Sequence, residues 1–465
     1  MFIDLPKIQI PEKVEFILNT LLENGFEAYA VGGCVRDVLL GRTPGDWDIT
    51  TSAKPQEVKQ LFRRTIDTGI QHGTVTVMLD KEGFEVTTYR IDGEYEDSRH
   101  PKSVEFTMNL VEDLKRRDFT INAMAYNHVT GIVDEFGGIE DLKAKRIVCV
   151  GNPKERFRED ALRMLRAVRF SGQLGFDIEE HTREAIRELA PTIQNISAER
   201  IRVELDKLFC SKHPERFLIA YETGITKYVM PEFDTMMKTE QNNPNHIDNV
   251  GMHCINALKI FQNEIVPSES YQKMEYPHKL YSVLCWAILL HDVGKPSMRT
   301  VDENGIDHFH KHDLEGADMA RKMLKRLKFD NYTVDAVTHL IRWHDYRYEP
   351  TIRSIRRALN RIGGEEIFWL FFVQRADMLA QSEYNREEKF ARLEEAERLV
   401  NEVLEQKQAF TLKQLAVNGK DLIQAGVTPG KEIGVVLEAL LEQVLENPED
   451  NQKEILLKSA MSFKK

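Results

Sequence analysis

A glycine pair followed by an aspartate pair constrains the fold of this sequence more than any other feature. Gly32 and Gly33 end an apolar run and open a predicted helix, and Asp46 and Asp48 flank Trp47 about four helical turns later. On a strand, alternation places both carboxylates on one face and Trp47 on the other. Backbone N–H groups at a helix start suit a phosphate, and paired carboxylates suit a divalent cation. The pattern therefore predicts a phosphate bound beside metal ions, as nucleotidyl transfer requires.

Length and composition limit the class of protein. A chain of 465 residues is too long for one core, so roughly two to four domains are expected. The 42% hydrophobic and 30% charged residues are typical of a soluble globular protein. The longest apolar run, residues 283–290, is too short to span a bilayer, and the N-terminus lacks the features of a signal peptide. Five scattered cysteines without a CxxC pair predict reduced thiols and a cytoplasmic location.

The charge is unevenly distributed. The net charge of -12 argues against a surface generally covered by nucleic acid. Residues 143–169, however, carry nine Lys or Arg against three acids, and this segment is the best candidate for an RNA or phosphate face.

Secondary-structure patterns divide the chain. Strands and helices alternate over residues 1–150, and helical periodicity dominates from residue 155 onward. The predicted strands are 27–31, 46–50, 74–79 and 84–89, and the predicted helices in this part are 11–24, 34–40 and 56–62. Turn residues at 151–153 and 241–245 mark boundaries. We expect an α+β head at 1–150, a helical neck at 151–240, a helical domain at 241–380 and a helical tail at 381–465.

Glu85 is a further acid near the aspartate pair in this interpretation. It lies between Phe84 and Val86 on a predicted strand, where an acid is costly unless it has a partner or a metal ion. It is either a third active carboxylate or an edge-strand acid that faces solvent, and both interpretations stay open.

The segment RRDFTIN combines phosphate-binding and sugar-binding residue types. Arg117 and its neighbour Arg116 suit a phosphate clamp. Asp118 and Asn122 are four residues apart, on one face of a predicted helix, and could hold a ribose. The alternative is a surface helix capped by Asp118 or Thr120.

Asp160 and Arg163 are three residues apart, which places them on one face of a helix. An acceptor beside a fork of donors matches the base edge of cytosine or adenine and opposes that of guanine or uracil. The alternative is an ordinary ion pair between neighbouring helical turns.

These motifs resemble those of class II tRNA nucleotidyltransferases. GGCVRD, GDWDIT, RRDFTINAMAYN, EDALRMLRAVRF and AERIRVEL stand in that family's order across residues 26–235. The resemblance implies a head like that of polymerase β, CTP and ATP as substrates, the tRNA 3′ end as primer, and no membrane. It implies that Asp46 and Asp48 bind Mg²⁺ and that Gly32, Gly33 and Arg36 contact phosphate. It also implies that Arg117, Asp118 and Asn122 contact sugar and phosphate. Asp160 and Arg163 would then select the base, with support from Arg166 and Arg169. A poly(A) polymerase or an A-adding enzyme of a split system shares these residues and remains the alternative.

Residues 92–101, a charged segment with one glycine, resemble the loop of family members that add the final A. Residues 426–430 form a glycine-rich turn between two predicted helices, which either meets RNA phosphates or only packs the helices.

A second set of residues resembles the HD phosphohydrolase superfamily. The pair His291 and Asp292 follows an apolar helix at 281–290, with His253 upstream and Asp377 downstream. The resemblance implies a metal site built from these four ligands, with His312 and His344 matching the additional histidines of bimetallic members. It implies Mn²⁺, Ni²⁺ or Fe²⁺ and phosphodiesterase or phosphatase chemistry.

Two other classes fit less well. An alarmone synthetase–hydrolase also joins these two folds, but in the opposite order, and it leaves EDALR unexplained. An inert RNA-binding protein conflicts with the intact aspartate pair and the intact His291–Asp292 pair.

Overall fold

The chain divides into two compact units between Pro231 and Glu232. The computed structural model describes residues 8–93, 104–273 and 279–463. The division lies near the predicted boundary at 241–245, and the finer division into four parts remains a prediction. Most of the predicted loop at 92–101 lies outside the described residues.

The first unit combines a sheet with helices. Its strands are β1 Ala28–Val31, β2 Ile49–Thr51, β3 Thr65–Gly69, β4 Thr74–Leu79, β5 Glu82–Thr88, β6 Arg90–Asp92, β7 Val104–Phe106, β8 Ala125–Asn127, β9 Gly131–Val133, β10 Arg146–Ile147 and β11 Asp177–Ile178. Its helices are α1 Glu12–Glu23, α2 Gly33–Leu39, α3 Pro55–Leu61, α4 Leu110–Lys115, α5 Gly138–Ala144, α6 Pro153–Glu159, α7 Leu162–Leu174, α8 Glu180–Leu189, α9 Ala198–Phe209, α10 Phe217–Glu222 and α11 Thr226–Val229.

A seven-stranded sheet in the order β3-β4-β5-β2-β1-β8-β9 forms the centre of this unit. β2 runs parallel to β5, and the other neighbouring strands in the sheet run antiparallel. Ile17 and Leu21 of α1 and Val58 of α3 join Val75 and Val86 of the sheet in one buried apolar cluster. Burying these side chains, at about 1.5–3 kcal/mol each, fixes the sheet against its helices.

The predicted strand at 46–50 begins later than expected, because β2 starts at Ile49. The register with β1 ends at the pair Ala30–Ile49, so Asp46 and Asp48 precede the strand. Alternation nevertheless holds, since Trp47 packs against the apolar cluster while both aspartates are exposed. The two carboxylates therefore stand at the end of a central strand, as the sequence indicated.

The second unit is mainly helical. Its helices are α12 Pro231–Met237, α13 Val250–Ile260, α14 Glu269–Gln272, α15 Leu280–Leu290, α16 Lys295–Met298, α17 His312–Arg326, α18 Asn331–Trp343, α19 Ile352–Ile362, α20 Glu366–Ala380, α21 Arg386–Glu405, α22 Gly419–Gln424, α23 Lys431–Glu446 and α24 Lys453–Ser462, and its short strands are β12 Thr300–Val301 and β13 Asp307–His308. The apolar helix α15 is buried along nearly all its length, as its continuous apolar sequence requires. Within the described residues, every helix is too short or too polar to cross a bilayer.

Candidate functional site

Three acids interact at the edge of the central sheet. The Asp48 carbonyl accepts a hydrogen bond from the Val31 N–H at 3.0 Å, which ties the aspartate pair to β1. The parallel pairing of Ile49 with Val86 brings Glu85 alongside Asp48. Both side chains reach solvent, but the surrounding protein displaces part of their hydration, which raises the pKa of both Asp48 and Glu85. The charge of Asp46 raises both further. Three carboxylates that repel one another fit the binding of a divalent cation, which relieves that repulsion.

Gly32 has a backbone conformation that only glycine adopts readily, with φ 83° and ψ -127°. A Cβ atom at this position would lie 2.9 Å from Nη1 of Arg117. The Gly32 N–H donates to the Met124 carbonyl at 3.0 Å, so the prediction that this N–H meets a phosphate is wrong. The reason is that the hydrogen-bonded ladder between β1 and β8 continues through Gly32 up to the start of α2. Gly32 instead leaves room for the Arg117 guanidinium.

Asn122 ends a single 3₁₀ turn, Thr120–Asn122, and Asp118 precedes that turn, so the two residues do not share the predicted helix. Neither Asp118 nor Thr120 caps that turn, which follows Phe119 in extended conformation. The side chains nevertheless meet, because Asn122 Nδ2 donates to Asp118 Oδ1 at 3.1 Å. Arg36 Nη1 donates to Asn122 Oδ1 at 2.6 Å, and Arg166 Nε donates to Asp118 Oδ2 at 2.8 Å. Four predicted residues thus form one buried polar network.

Electrostatics hold this network in its charged form. Burial alone would raise the pKa of Asp118, but Arg166 and the Asn122 amide outweigh it and lower the pKa to about 2.

The guanidinium groups of Arg36, Arg166 and Arg169 lie 5.1, 5.4 and 3.8 Å from the centre of the Phe170 ring. Cations over an aromatic face are attracted by the ring quadrupole. Phe170 therefore gathers three of the predicted nucleotide-binding arginines.

Glu204 is a member of this site that the sequence reasoning missed. It is buried on α9 and accepts a hydrogen bond from Arg169 Nε at 2.5 Å. The signal was available in AERIRVEL, since Glu204 lies between apolar residues of an amphipathic helix and needs a cationic partner there.

Asp160 and Arg163 do not lie on one helix as predicted. α6 ends at Glu159 and α7 begins at Leu162, so Asp160 stands at the break, where its carboxylate accepts from the Leu162 N–H. Arg200 binds this carboxylate with both terminal nitrogens, at 3.3 and 2.7 Å. Arg163 Nη1 contacts Glu159 at 2.5 Å instead. Each member of the predicted pair therefore has its own ionic partner.

The second unit brings together the six residues predicted for the HD-type metal site, and five of them are buried. His253 lies on α13, Asp377 on α20, and the other four lie at helix ends. These four are His291 and Asp292 after α15, His312 at the start of α17 and His344 after α18. Two overlapping groups have their ligand atoms within 4.8 Å of one another: His253, His291 and Asp292, and Asp292, His312 and His344.

Asp292 is shared between the two groups. Its Oδ2 lies 3.2 Å from His291 Nε2 and 3.7 Å from His253 Nε2. Its Oδ1 lies 3.3 Å from His312 Nε2 and 3.6 Å from His344 Nε2. Each oxygen of one carboxylate thus faces a different histidine pair, so Asp292 would supply a ligand on both sides of the centre.

The backbone fixes the tautomers of three of these histidines. The Nδ1 atoms of His291, His312 and His344 each lie 2.7 Å from the carbonyl three residues earlier, so Nδ1 carries the proton that is donated. The Nε2 lone pairs then point into the centre, the arrangement in which histidine binds a metal ion. The His312 and His344 Nε2 atoms lie only 3.1 Å apart. This donor set fits one or two divalent cations.

The charges of the centre also call for a cation. Both Asp292 oxygens are buried and make no hydrogen bond within the described part of the chain, although Lys295 Nζ approaches Oδ2 to 2.6 Å. Lys295 was not predicted, although its position three residues after Asp292 on the motif HDVGK was a usable signal.

A cleft of about 660 Å³ opens over this centre. His312, His344 and Asp377 lie on its wall together with Lys295 and Lys389. A cleft of this size can hold a small organic phosphate beside the centre.

Family comparisons cover both units. Residues 28–148 match the poly(A) polymerase head domain, and residues 175–237 match a probable RNA and SrmB-binding site of polymerase A. Residues 312–460 match domain 2 of tRNA nucleotidyltransferases.

Similarity to individual proteins extends along the chain. The CCA-adding enzyme of Levilactobacillus brevis is 34% identical over 455 residues, which cover 96% of this chain and 98% of that protein. The enzyme of Lactobacillus helveticus is 53% identical over 218 residues, and this match spans only 54% of that protein and 47% of this chain. The structure of the Bacillus stearothermophilus CCA-adding enzyme in complex with CTP is similar with a TM-score of 0.72 and 31% identity, over 98% of both chains. The chain therefore belongs to the class II CCA-adding enzyme family of tRNA nucleotidyltransferases.

Proposed function

We propose that this protein adds C, C and A in order to the 3′ end of tRNA, with CTP and ATP as substrates. The observation that carries the proposal is the group formed by Asp46, Asp48 and Glu85 in one unit with the buried Asp118–Arg166 network. Full-length similarity to a CCA-adding enzyme, and the CTP bound to the B. stearothermophilus relative, support this assignment of substrates. A poly(A) polymerase or an A-adding enzyme is the alternative that experiment must separate.

Each part of the site has a distinct task in this reaction. Magnesium ions held by Asp46 and Asp48 would supply activation of the primer hydroxyl and stabilisation of the pyrophosphate leaving group. Glu85 adds negative charge next to that pair and orients the primer end. Arg117, beside Gly32, meets the triphosphate, and guanidinium groups bind phosphate oxygens through paired hydrogen bonds.

The sugar and the base meet the network around Phe170. Asp118 is kept ionised by Arg166 and presents its carboxylate to ribose hydroxyls. Asp160 and Arg163 select cytosine or adenine, and for this Arg163 leaves Glu159 and turns to the base edge. Because the selecting groups belong to the protein, no nucleic-acid template is needed.

The function is tested with tRNA lacking its CCA end, supplied with CTP and ATP. We expect wild-type protein to extend the tRNA and Asp46→Ala to lose extension at least a thousandfold, while tRNA binding in a gel-shift assay is retained. Asp80→Ala, at an exposed acid whose recorded ion pair is with Lys13, serves as the matched control and keeps full activity. Near-normal extension by Asp46→Ala would overturn the assignment of the catalytic carboxylates.

A second activity, metal-dependent phosphohydrolysis, is proposed for the His/Asp centre of the second unit. The observation that favours it is the Asp292 carboxylate between two histidine pairs whose lone pairs face it. Mn²⁺, Ni²⁺ or Fe²⁺ bound there would activate water for attack on a phosphate ester. Lys295 and Lys389 line the cleft and would neutralise the phosphate charge.

This second activity is tested with bis-p-nitrophenyl phosphate and added Mn²⁺ or Ni²⁺. We expect hydrolysis that is lost after chelation and in His291→Ala, and that is kept in His339→Ala, whose ring Nε2 donates to the Ile362 carbonyl outside the centre. Absence of turnover with every metal, in protein that still extends tRNA, would show that the centre is structural.

A further inference from the structure

Asp113 is a fully buried acid that the proposed chemistry does not use. It lies on α4 with 0% of its surface exposed. Its Oδ1 accepts from Arg116 Nε at 2.9 Å and from the Arg90 backbone N–H at 3.3 Å. Its Oδ2 accepts from Thr50 Oγ1 at 3.1 Å and lies 3.6 Å from Arg117 Nη2. A buried carboxylate with this many partners is ionised and organises the groups around it.

These partners connect separate parts of the transferase site. Thr50 lies on β2, two residues after Asp48, so Asp113 is tied to the strand that directly follows the aspartate pair. Arg117 reaches Gly32, where a Cβ atom would lie 2.9 Å from Nη1. Asp113 thereby links β2, which follows the aspartate pair, to Arg117 beside Gly32.

Arg117 depends on charge for its position. Its Nε is buried and makes no hydrogen bond within residues that the structure describes, and its contact with Asp113 is longer than a hydrogen bond. Burial lowers the pKa of Arg117, whereas the charges of Asp113 and Asp48 raise it. The charges of two carboxylates therefore act on the same guanidinium: Asp113 on α4 and Asp48 of the aspartate pair.

We propose that Asp113 is a positioning residue for nucleotidyl transfer: its carboxylate holds the Arg117 guanidinium beside Gly32, where it meets the triphosphate of the incoming nucleotide. Without the charge of Asp113, the Arg117 guanidinium loses the carboxylate that holds it beside Gly32. The site then loses a phosphate-binding cation. The inference rests on the proposed nucleotidyl transfer, which assigns the triphosphate to this edge.

The test is Asp113→Asn, which keeps the shape of the side chain and removes its charge. We expect the Kd for CTP, measured by calorimetry in EDTA without tRNA, to rise about tenfold, the size of a lost charge-assisted contact. The KM for CTP should rise by a similar factor, with kcat at saturating CTP nearly unchanged, because uniform binding is lost. The wild type measured in parallel separates the two hypotheses, since an inactive wild type would refute the proposed function itself.

Asp141→Asn is the matched control. Asp141 is also a buried acid of the first unit, 6% exposed, and it accepts from Thr120 Oγ1 at 2.7 Å and Arg146 Nη2 at 2.8 Å. We expect its CTP affinity to equal that of the wild type. If Asp113→Asn unfolds, the charge-balanced double variant Asp113→Asn/Arg116→Gln removes one acid and one guanidinium together and should show the same loss of CTP affinity. The proposal would be overturned if Asp113→Asn bound CTP as tightly as Asp141→Asn does. The same criterion applies to the double variant if it replaces Asp113→Asn.

Discussion

At the scale of single residues, two features would prepare the proposed transferase site before substrate arrives. Gly32 makes space for a guanidinium next to the catalytic edge. Asp118 is ionised inside the protein because Arg166 and Asn122 stabilise its charge. Both features preorganise the folded protein, so a bound nucleotide would meet groups that are already in position.

Gly32→Ala should reduce both stability and activity. Alanine at φ 83° costs about 1–3 kcal/mol, and its Cβ would also displace Arg117. Gly41→Ala is the control, because Gly41 has φ 70° but open space around the added Cβ. Urea unfolding should show a loss in both variants, whereas only Gly32→Ala should raise the KM for CTP. Equal KM values in the two variants would disprove the role assigned to the glycine.

Asp118→Asn should change the pH dependence of stability. The pKa of Asp118 is about 2 in the folded protein and about 3.9 when unfolded, so ionisation stabilises the fold above about pH 4. That contribution, about 2 kcal/mol, is lost as the pH falls from about 4 to 2. The difference in unfolding free energy between wild type and Asp118→Asn should therefore shrink between pH 6 and pH 3, measured by urea titration. A difference that does not change with pH would refute the assigned charge state.

At the scale of elements, the sequence predicts segments with strong periodicity and misses those shaped by tertiary contacts. The predicted strand 74–79 agrees with β4, and the predicted helix 11–24 agrees with α1. β3 was not predicted, because Thr65–Gly69 has exposed and half-buried residues without alternation and is a strand through pairing with β4. The break between α6 and α7 was likewise missed, since Asp160 is stabilised there by Arg200 from a distant helix.

The candidate sites likewise contain residues that the sequence could identify and residues that it could not. His253, His291 and Asp377 were selected from the sequence because their order along the chain resembles that of HD phosphohydrolases. Distances between elements were not predictable, and so neither Glu204 nor Asp113 was recognised as a partner of the arginines. Partners of buried charges become visible only when the elements are packed.

We propose that base selection depends on the α6–α7 break, and in that case Arg163→Ala should impair it. Wild-type protein should incorporate C and A far better than U and G, and the variant should lose most of this preference, because a mispaired polar edge costs little once the donor is gone. Arg158→Ala, at an exposed arginine on the same helix α6, is the control and should keep full selectivity. The measurement is single-nucleotide incorporation with each of the four nucleotides in turn. Retained selectivity in Arg163→Ala would assign base recognition to other residues.

At the scale of the whole molecule, one chain carries two candidate metal centres in two separate units. The first gathers exposed carboxylates at the edge of a sheet, which suits Mg²⁺ and phosphodiester formation. The second gathers buried histidines around Asp292, which suits transition metals and hydrolysis. The donor types are the basis on which we propose opposite chemistry for the two units.

Ordered nucleotide addition tests the central claim most directly. Three tRNAs, lacking CCA, CA or only the final A, are each supplied with CTP alone, ATP alone or both, and the products are resolved at single-nucleotide length. The account predicts two C residues on the first tRNA with CTP alone, one A on the tRNA ending in CC with ATP alone, and termination at CCA with both. Long A tracts, or addition of A without any addition of C, would contradict it.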